Sequence, residues 1–227
     1  MLLKSAITNI EVHSKEWFDE RLAKFTSSEW HFVMGAAGIG VTGMKYIYRK
    51  VGEEMTGIPC RDEITTDATA HGHTYEPLAL TAFAKKMNIE FLVTQKLIVP
   101  KNSRHGSTPD GLIVYKESTD HTGYDVFTVE AKCPTSYDGY LELWECETPM
   151  AIKAVSKKYY WQVLHQMDVA GALKGYLVIY QPYFKAGGLK IIEFRKSELI
   201  NEFKLINERK KEVEQIFITL RDKLLAA

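Results

Sequence analysis

The chain has 227 residues, and its 29 lysines and arginines balance 29 aspartates and glutamates, so its formal net charge is zero. The length suits one well-filled domain and does not require two. No apolar run is long enough to cross a bilayer, and the first residues lack the apolar core of a signal peptide. The three cysteines show neither C-x-x-C spacing nor a disulfide framework. We therefore expect a cytoplasmic protein with no membrane contact.

The neutral charge balance bears on possible nucleic-acid partners. A protein that grips DNA through its phosphates usually carries an excess of basic residues. A nuclease can still be neutral, because an acidic metal site offsets a basic groove. The charge sum alone therefore decides nothing.

Helical spacing dominates the first part of the chain. Residues 14–34 are predicted to form a helical opening, residues 35–43 a flexible loop, and residues 44–55 a helix that ends near Gly57. Apolar residues follow helical spacing over 74–87.

Strand patterns begin with residues 91–99, which are closed by Pro100. Residues 112–115 and 124–132 are β-like runs joined by a polar stretch, which predicts a hairpin. Two further strands are predicted at 175–180 and 189–195, around a Gly-Gly turn.

Helices fill the rest of the second half. Thr148 and Pro149 suit the N-cap and first residue of a helix that runs to about residue 172. The tail, about residues 197–225, has the periodicity of one amphipathic helix, and that pattern fits packing on its own core or on a neighbouring subunit. Strands framed by helices predict one α/β domain over residues 1–227, with a central mixed β-sheet flanked by helices.

Two short motifs bring together residues that could carry chemistry. Residues 108–111 read Thr-Pro-Asp-Gly, and residues 130–132 read Glu-Ala-Lys. Residues two apart in a strand share a face, so Glu130 and Lys132 project together. If the two runs pair as a hairpin, Asp110 comes close to Glu130.

Facing carboxylates repel one another, and a hard divalent cation relieves the repulsion. An ammonium group beside a metal can orient water or offset charge on a phosphate. Asp110, Glu130 and Lys132 therefore indicate a magnesium-dependent nuclease of the PD-(D/E)xK class. The simpler alternative is a polar turn next to an exposed strand edge that carries a salt bridge.

Other polar residues could assist such a site. Glu76 borders the apolar stripe of the 74–87 helix, and Gln162 lies in the 149–172 helix. Arg21 and Ser28 place a guanidinium and a hydroxyl near predicted helix termini, a suitable set for phosphate binding. Each of these residues could equally be an ordinary capping or boundary residue. His165 is predicted to be a partly buried polar residue.

The order of these motifs resembles the bacteriophage lambda exonuclease family of viral recombination (alkaline) exonucleases, which share the PD-(D/E)xK (restriction-endonuclease-like) fold. The resemblance covers roughly residues 15–195. It rests on Trp17-x3-Arg21, Thr26-Ser27-Ser28-Glu29, Gly72-x2-Tyr75-Glu76, Thr108-Pro109-Asp110-Gly111, Glu130-Ala131-Lys132-Cys133-Pro134 and Gln162-Val163.

The resemblance implies a role for each of eight residues. Asp110, Glu130 and the backbone carbonyl of Ala131 would hold two Mg²⁺ ions, with Mn²⁺ as a possible substitute. Lys132 would act on the attacking water and Glu76 would support the metal–water network. The 5′-terminal phosphate would be bound by Arg21, Ser28 and Gln162.

The resemblance also implies a biological setting. Family members digest the 5′ strand from double-stranded DNA ends, leave a 3′ overhang for a single-strand annealing recombinase, and include a homotrimer. It places the protein in a bacterial cell, encoded by a phage or prophage.

The sequence departs from the family pattern in three places. Thr108 stands where serine is usual, Ala131 replaces a larger apolar residue, and residues 35–43 have no counterpart. Two other hypotheses remain open: an endonuclease of the same superfamily that acts in restriction or repair, and a DNA-binding protein with a vestigial site.

Overall fold

A computed structural model describes residues 7–60, 67–90, 92–116, 124–184 and 187–227. Its elements include both helices and strands, and five of the strands form one sheet. In chain order they are α1 (Lys15–Glu20), β1 (Phe25–Thr26), a 3₁₀ helix (Ser27–Phe32), α2 (Val41–Thr56), α3 (Asp67–Met87), β2 (Leu92–Thr94), β3 (His105–Gly106), β4 (Gly111–Lys116), β5 (Tyr124–Lys132), α4 (Tyr137–Trp144), α5 (Pro149–Val155), α6 (Lys157–Ala170), β6 (Lys174–Tyr180), β7 (Leu189–Arg195), a second 3₁₀ helix (Lys196–Glu198) and α7 (Ile200–Leu225).

The central sheet is mixed, as predicted, with strand order β2-β4-β5-β6-β7. β4 and β5 pair antiparallel with Gly111 opposite Val129, which confirms the predicted hairpin; its connection, residues 117–123, lies outside the described residues. β5 and β6 run parallel, and β6 pairs antiparallel with β7. A parallel pair needs a crossover connection, and α4, α5 and α6 provide it.

Helices cover both faces of the sheet. The larger core joins α6 and α7 to one face, where Leu177 and Ile179 are fully buried. The smaller core joins α3 to the opposite face, through Tyr176 and Val178. Because alternate residues of a strand point to opposite faces, Glu130 faces α6 while Ala131 faces α3.

The predicted helical opening over residues 14–34 is wrong as one element. Helix α1 ends at Glu20, and Ala23 has a positive φ of 56°, which a continuing helix does not allow. The chain then forms β1, which pairs with β3 through only two residues on each strand. Strands this short leave no period in the sequence.

Two other boundaries differ from the prediction. Helix α2 begins at Val41, inside the predicted loop, and its Gly43 packs against the backbone of Phe32, where a Cβ would lie 2.8 Å from the carbonyl oxygen. The strand predicted over 91–99 is short, with β2 covering Leu92–Thr94, while Phe91 lies outside the described residues.

The predicted 149–172 helix is two helices. Thr148 caps α5 as expected, by accepting a hydrogen bond from Ala151 N–H (3.2 Å). The chain leaves helical geometry at Ser156, whose hydroxyl accepts from Tyr159 N–H (3.3 Å) and begins α6. Helix α4 was not predicted at all. The C-terminal helix is confirmed, and it packs on its own core through Phe203, Ile206, Val213 and Phe217.

Candidate active site

The predicted carboxylates and lysine meet at one edge of the sheet. Asp110 immediately precedes β4, and the β4–β5 register places it beside the end of β5. Its Oδ2 accepts a hydrogen bond from Ala131 N–H at 2.7 Å. Its carbonyl accepts from Gln95 N–H at 3.2 Å, which anchors the residue to the chain after β2. The two motifs are therefore in direct contact, because the Asp110 side chain of the first accepts from the backbone of the second.

Glu130 is 2% exposed and is held by three donors. Lys132 Nζ donates to its Oε1 at 2.5 Å, and Gln166 Nε2 donates to Oε2 at 2.5 Å. Gln162 Nε2 also donates to Oε1. A buried carboxylate is stable only when its oxygens are satisfied, and here two amides from α6 and one ammonium meet that need.

The electrostatics of the cluster follow from burial and from its opposed charges. Burial raises the pKa of Asp110 well above its ordinary value, and the neighbouring Glu130 raises it further. Burial alone would lower the pKa of Lys132, but Glu130 and Asp110 outweigh that effect and raise it. The Lys132 ammonium also lies 5.2 Å from the Tyr159 ring, within cation–π range.

Glu76 enters the cluster from α3. Burial raises the pKa of this carboxyl, Gln95 opposes the shift, and Glu130 adds to it. Gln95 Nε2 lies 3.4 Å from Glu76 Oε1. Pro77, the next residue, lacks an N–H and so cannot donate to the carbonyl of His73, one turn earlier.

An open cleft of about 520 Å³ gives access to these groups. Glu76, Asp110 and Lys132 line it, and α4 and α5 supply the opposite wall. The other lining residues are Gly72, His73, Ala131, Cys133, Pro134, Thr135, Ser136, Gly139, Glu142, Leu143, Val155, Ser156 and Tyr159. A phosphate backbone entering this cleft would meet the carboxylates of Glu76 and Asp110 and the ammonium of Lys132.

The donor set fits a hard divalent cation. Asp110 and Glu130 offer carboxylate oxygens, and the Ala131 carbonyl is at the same strand end. Within the described ranges, no three histidine, cysteine, aspartate or glutamate side chains form a ready metal cage. Mg²⁺ does not need one, since it keeps several waters and binds through one or two carboxylates plus substrate phosphate. The mutual repulsion that raises the pKa of Asp110 is the condition that a cation would relieve.

The three residues predicted to bind a terminal phosphate occupy different positions. Arg21 Nη1 donates to Thr108 Oγ1 at 3.1 Å, and its guanidinium lies 4.0 Å from the Trp17 ring centroid. Arg21 is therefore hydrogen-bonded to the segment that carries Asp110. Gln162 is attached to Glu130, and Ser28 is exposed in the first 3₁₀ helix.

Several residues at the site were not found from the sequence. Gln166 contacts Glu130 from the turn of α6 after Gln162, and an i, i+4 amide pair was the available signal. His165, predicted to be partly buried, is fully buried, and it contacts Ser27. Tyr159 contributes a ring face to Lys132, and a tyrosine at a helix start carries no pattern that would reveal this.

Similar proteins were found by sequence and by structure. A profile of the YqaJ-like viral recombinase domain matches residues 16–173. An alkaline exonuclease (LHK-Exo) from Laribacter hongkongensis has a similar structure, with a TM-score of 0.67 at 22% identity over 94% of this chain and 99% of that chain. The same exonuclease in complex with dAMP matches with a TM-score of 0.67, at 24% identity and equal coverage.

A third similar structure is a phage-related exonuclease from Haemophilus somnus 129PT. It has a TM-score of 0.62 at 14% identity, over 88% of this chain and 96% of that chain. A search of curated proteins gives no match. In the part of the chain that the structure describes, no helix is both long and apolar enough to span a membrane.

The five-stranded mixed sheet with helices on both faces is the fold of these exonuclease structures, of the lambda-exonuclease type that the motifs indicated. The chain belongs to the YqaJ-like viral recombinase domain family. The family resemblance read from the sequence is thereby confirmed, and membership points to a nuclease that acts on DNA.

Proposed function

We propose that this protein is a metal-dependent exonuclease that digests the 5′ strand from double-stranded DNA ends and leaves 3′ overhangs for phage-type recombination. The observation that carries the proposal is the grouping of Asp110, Glu130 and Lys132 at one sheet edge: Lys132 contacts the buried Glu130, Asp110 contacts the backbone between them, and Asp110 and Lys132 line an open cleft. Family membership and the exonuclease fold support it independently. A vestigial protein would have no need to keep a buried carboxylate with three donors.

Asp110, Glu130 and the Ala131 carbonyl would hold two Mg²⁺ ions, with Mn²⁺ as a substitute. When bound, such ions lower the pKa of a coordinated water and stabilise a departing oxygen. Gln162 and Gln166 hold Glu130 in one orientation, because each donates to a different oxygen of its carboxylate.

Lys132 of β5 and Glu76 of α3 both line the cleft. Lys132 places a positive charge beside Glu130, where it would attract a non-bridging phosphate oxygen and orient the attacking water. Glu76 would accept a hydrogen bond from that water, while Gln95 limits the rotation of its carboxylate.

Recognition of the 5′-terminal phosphate would fall to Arg21, Ser28 and Gln162. The planar guanidinium of Arg21 matches phosphate geometry, and its contact with Thr108 places it near Asp110. Gln162 Nε2 carries two hydrogens, and only one is needed for Glu130. The exposed Ser28 hydroxyl would supply a further donor.

Family membership supports the biological setting that we propose. One similar exonuclease was solved with dAMP, a mononucleotide of the kind that exonucleolytic digestion releases. We propose that the partners are double-stranded DNA ends and a single-strand annealing recombinase, and that the protein works as a homo-oligomer, a trimer by resemblance, in the bacterial cytoplasm.

The test is digestion of linear duplex DNA with one 5′-phosphorylated end, in Mg²⁺ or chelator, beside a closed circular duplex. We expect metal-dependent loss of the 5′ strand alone, with the circle intact. Cutting of the circle would instead support an endonuclease of restriction or repair. Binding without cleavage would support the vestigial protein.

Substitution of the proposed metal ligands provides the matched controls. Asp110→Ala and Glu130→Ala should each abolish cleavage, because each removes a carboxylate that no neighbouring residue replaces. Circular dichroism would check that both variants fold. Turnover in either folded variant would contradict the site assignment.

Arg21→Ala should act on end recognition more than on chemistry. We expect the preference for phosphorylated over hydroxyl 5′ ends to disappear, while the rate on hydroxyl ends changes little. The measurement is kcat/KM on the two duplexes. An equal loss on both ends would contradict a phosphate-binding role for Arg21.

A further inference from the structure

Four polar side chains in series, three of them buried and the fourth the 42% exposed Glu214, connect α7 to the segment after β1. Ser27 Oγ lies 2.8 Å from His165 Nδ1, and His165 Nε2 lies 3.2 Å from His105 Nδ1. His105 Nε2 lies 3.4 Å from Glu214 Oε1. Both imidazoles are fully buried and Ser27 is 3% exposed. The Trp30 ring stacks on His165 at 4.4 Å, which limits rotation of that imidazole.

The Glu214 carboxylate near His105 favours one direction for the two hydrogen bonds of the series. An ionised Glu214 attracts an N–H group, so we assign the proton of His105 to Nε2, which leaves its Nδ1 to accept. His165 must then donate from Nε2, and its Nδ1 accepts from the Ser27 hydroxyl. Burial lowers the pKa of both imidazoles, which keeps the two rings neutral and this direction intact. The 3.4 Å contact is longer than an ideal hydrogen bond, so the Glu214 carboxylate acts on the neutral ring by attracting the positive end of its N–H dipole.

Helix α6, which carries His165, also contacts the candidate catalytic carboxylate. His165 lies on α6 between Gln162 and Gln166, and both of those amides donate to Glu130. Ser27 directly precedes Ser28 in the first 3₁₀ helix. One rigid helix therefore connects Glu130 to the segment proposed to bind the terminal phosphate.

We propose that His165 is a positioning residue that fixes the Ser27–Ser28 segment at a set separation from Glu130. This inference rests on the proposed function, since it assigns Ser28 to the 5′-terminal phosphate. Removal of the nucleotide at the end requires the terminal phosphate and the scissile phosphate to be held one nucleotide apart. The bond from Ser27 to His165 maintains that spacing without either residue touching the DNA.

A purely structural role for His165 has a different signature. Loss of stability lowers the active fraction, and it lowers activity on phosphorylated and hydroxyl ends alike. Loss of positioning reduces the ratio of kcat/KM between the two ends. The discriminating readout is therefore that ratio, measured on folded protein.

The experiment compares four full-length variants with the wild type on both duplexes. Ser27→Ala and His165→Leu should each reduce the ratio about fivefold or more, the effect of one net hydrogen bond. His165→Asn, whose amide oxygen can accept from Ser27, should retain more of the ratio than His165→Leu. Thr148→Ala removes the side-chain hydrogen bond that caps α5, which is not part of this series of contacts, and should leave the ratio unchanged.

Long-range ¹H–¹⁵N NMR of the imidazoles supplies a readout that needs no DNA. We expect both rings to be neutral, with the proton on Nε2. A proton on Nδ1 of His165, or an unchanged ratio in Ser27→Ala and His165→Leu, would overturn the inference.

The two levels of proposal fail in different ways. Absence of digestion by the wild type would remove the proposed function and this inference with it. Metal-dependent digestion without discrimination between ends would overturn the inference and leave the nuclease intact. Discrimination that survives both substitutions would overturn the inference alone.

Discussion

At the scale of single residues, the contacts of Glu130 explain why it can be both buried and available to a cation. Its three donors are two amides and an ammonium, and all three belong to side chains rather than to the backbone. Side-chain donors can rotate when a ligand binds, whereas backbone donors cannot. The burial of Glu130 against α6 then makes its orientation depend on Gln162 and Gln166 together.

This dependence can be tested at Gln166, which lies outside the motifs of the family. Gln166→Leu keeps the volume but removes the donor to Glu130 Oε2, so we expect metal affinity to fall about 10–100-fold. Titration calorimetry with Mn²⁺ measures the affinity without turnover. Gln215→Leu, on the exposed face of α7, is the matched control and should bind the metal as the wild type does. Equal affinity in the two variants would show that Gln166 does not help to orient Glu130 for metal binding.

At the scale of elements, α7 packs against residues of the first half of the domain and stabilises their positions. Phe217 is fully buried in its last turns and packs against Phe25, with ring centroids 5.9 Å apart. The Arg104 guanidinium lies 4.1 Å from the Phe217 ring. Lys210 pairs with Asp168 of α6 at 2.9 Å, so α7 also restrains the helix that carries Gln162 and Gln166.

Two substitutions at neighbouring positions test whether the packing of α7 stabilises the domain. Phe217→Ala should lower the free energy of unfolding by about 3–5 kcal/mol, because it leaves a cavity in a closed core. Ile218→Ala, on the adjacent and 38% exposed residue, should change it by less than about 1 kcal/mol. Urea denaturation measures both. Similar values for the two variants would indicate that α7 is anchored elsewhere, for instance on a neighbouring subunit.

The elements that could be predicted were those long enough to show a period. The β4–β5 hairpin alternates over nine residues in β5, and α7 repeats its apolar positions over 26 residues. The two-residue strands β1 and β3 contain no period, and the break at Ser156 interrupts an apolar pattern that continues on both sides. Tertiary pairing, rather than local preference, determines these features.

The candidate site divides in the same way. Asp110, Glu130 and Lys132 were predicted because strand alternation and hairpin pairing are local rules. Gln166 and the His105–His165 pair were missed, because their contacts join segments 36 and 60 residues apart. Such contacts depend on how α6 packs over the sheet, which no sequence period specifies.

At the scale of the whole molecule, the buried imidazoles link stability to pH. Burial lowers the pKa of His165 well below the ordinary value of 6.5, and nearby His105 and Lys210 lower it further. Burial also lowers the pKa of His105, although Glu214 opposes that shift. Protonation of His165 places a charge at a fully buried position, whereas a charge on His105 is partly offset by Glu214 of α7.

The sign of the effect follows from comparing folded and unfolded chains. Below pH 6.5 the unfolded chain binds a proton at His165 that the folded chain rejects, so stability present above that pH is lost as pH falls toward the folded pKa. Each such proton lowers the free energy of unfolding by up to about 1.4 kcal/mol per pH unit. His165→Asn does not titrate, so its stability should fall less steeply between about pH 6.5 and 5. Urea denaturation of both proteins across that range measures the two slopes. Parallel curves would mean that His165 titrates normally in the folded protein, and the neutral chain from Ser27 to Glu214 would then lack its basis.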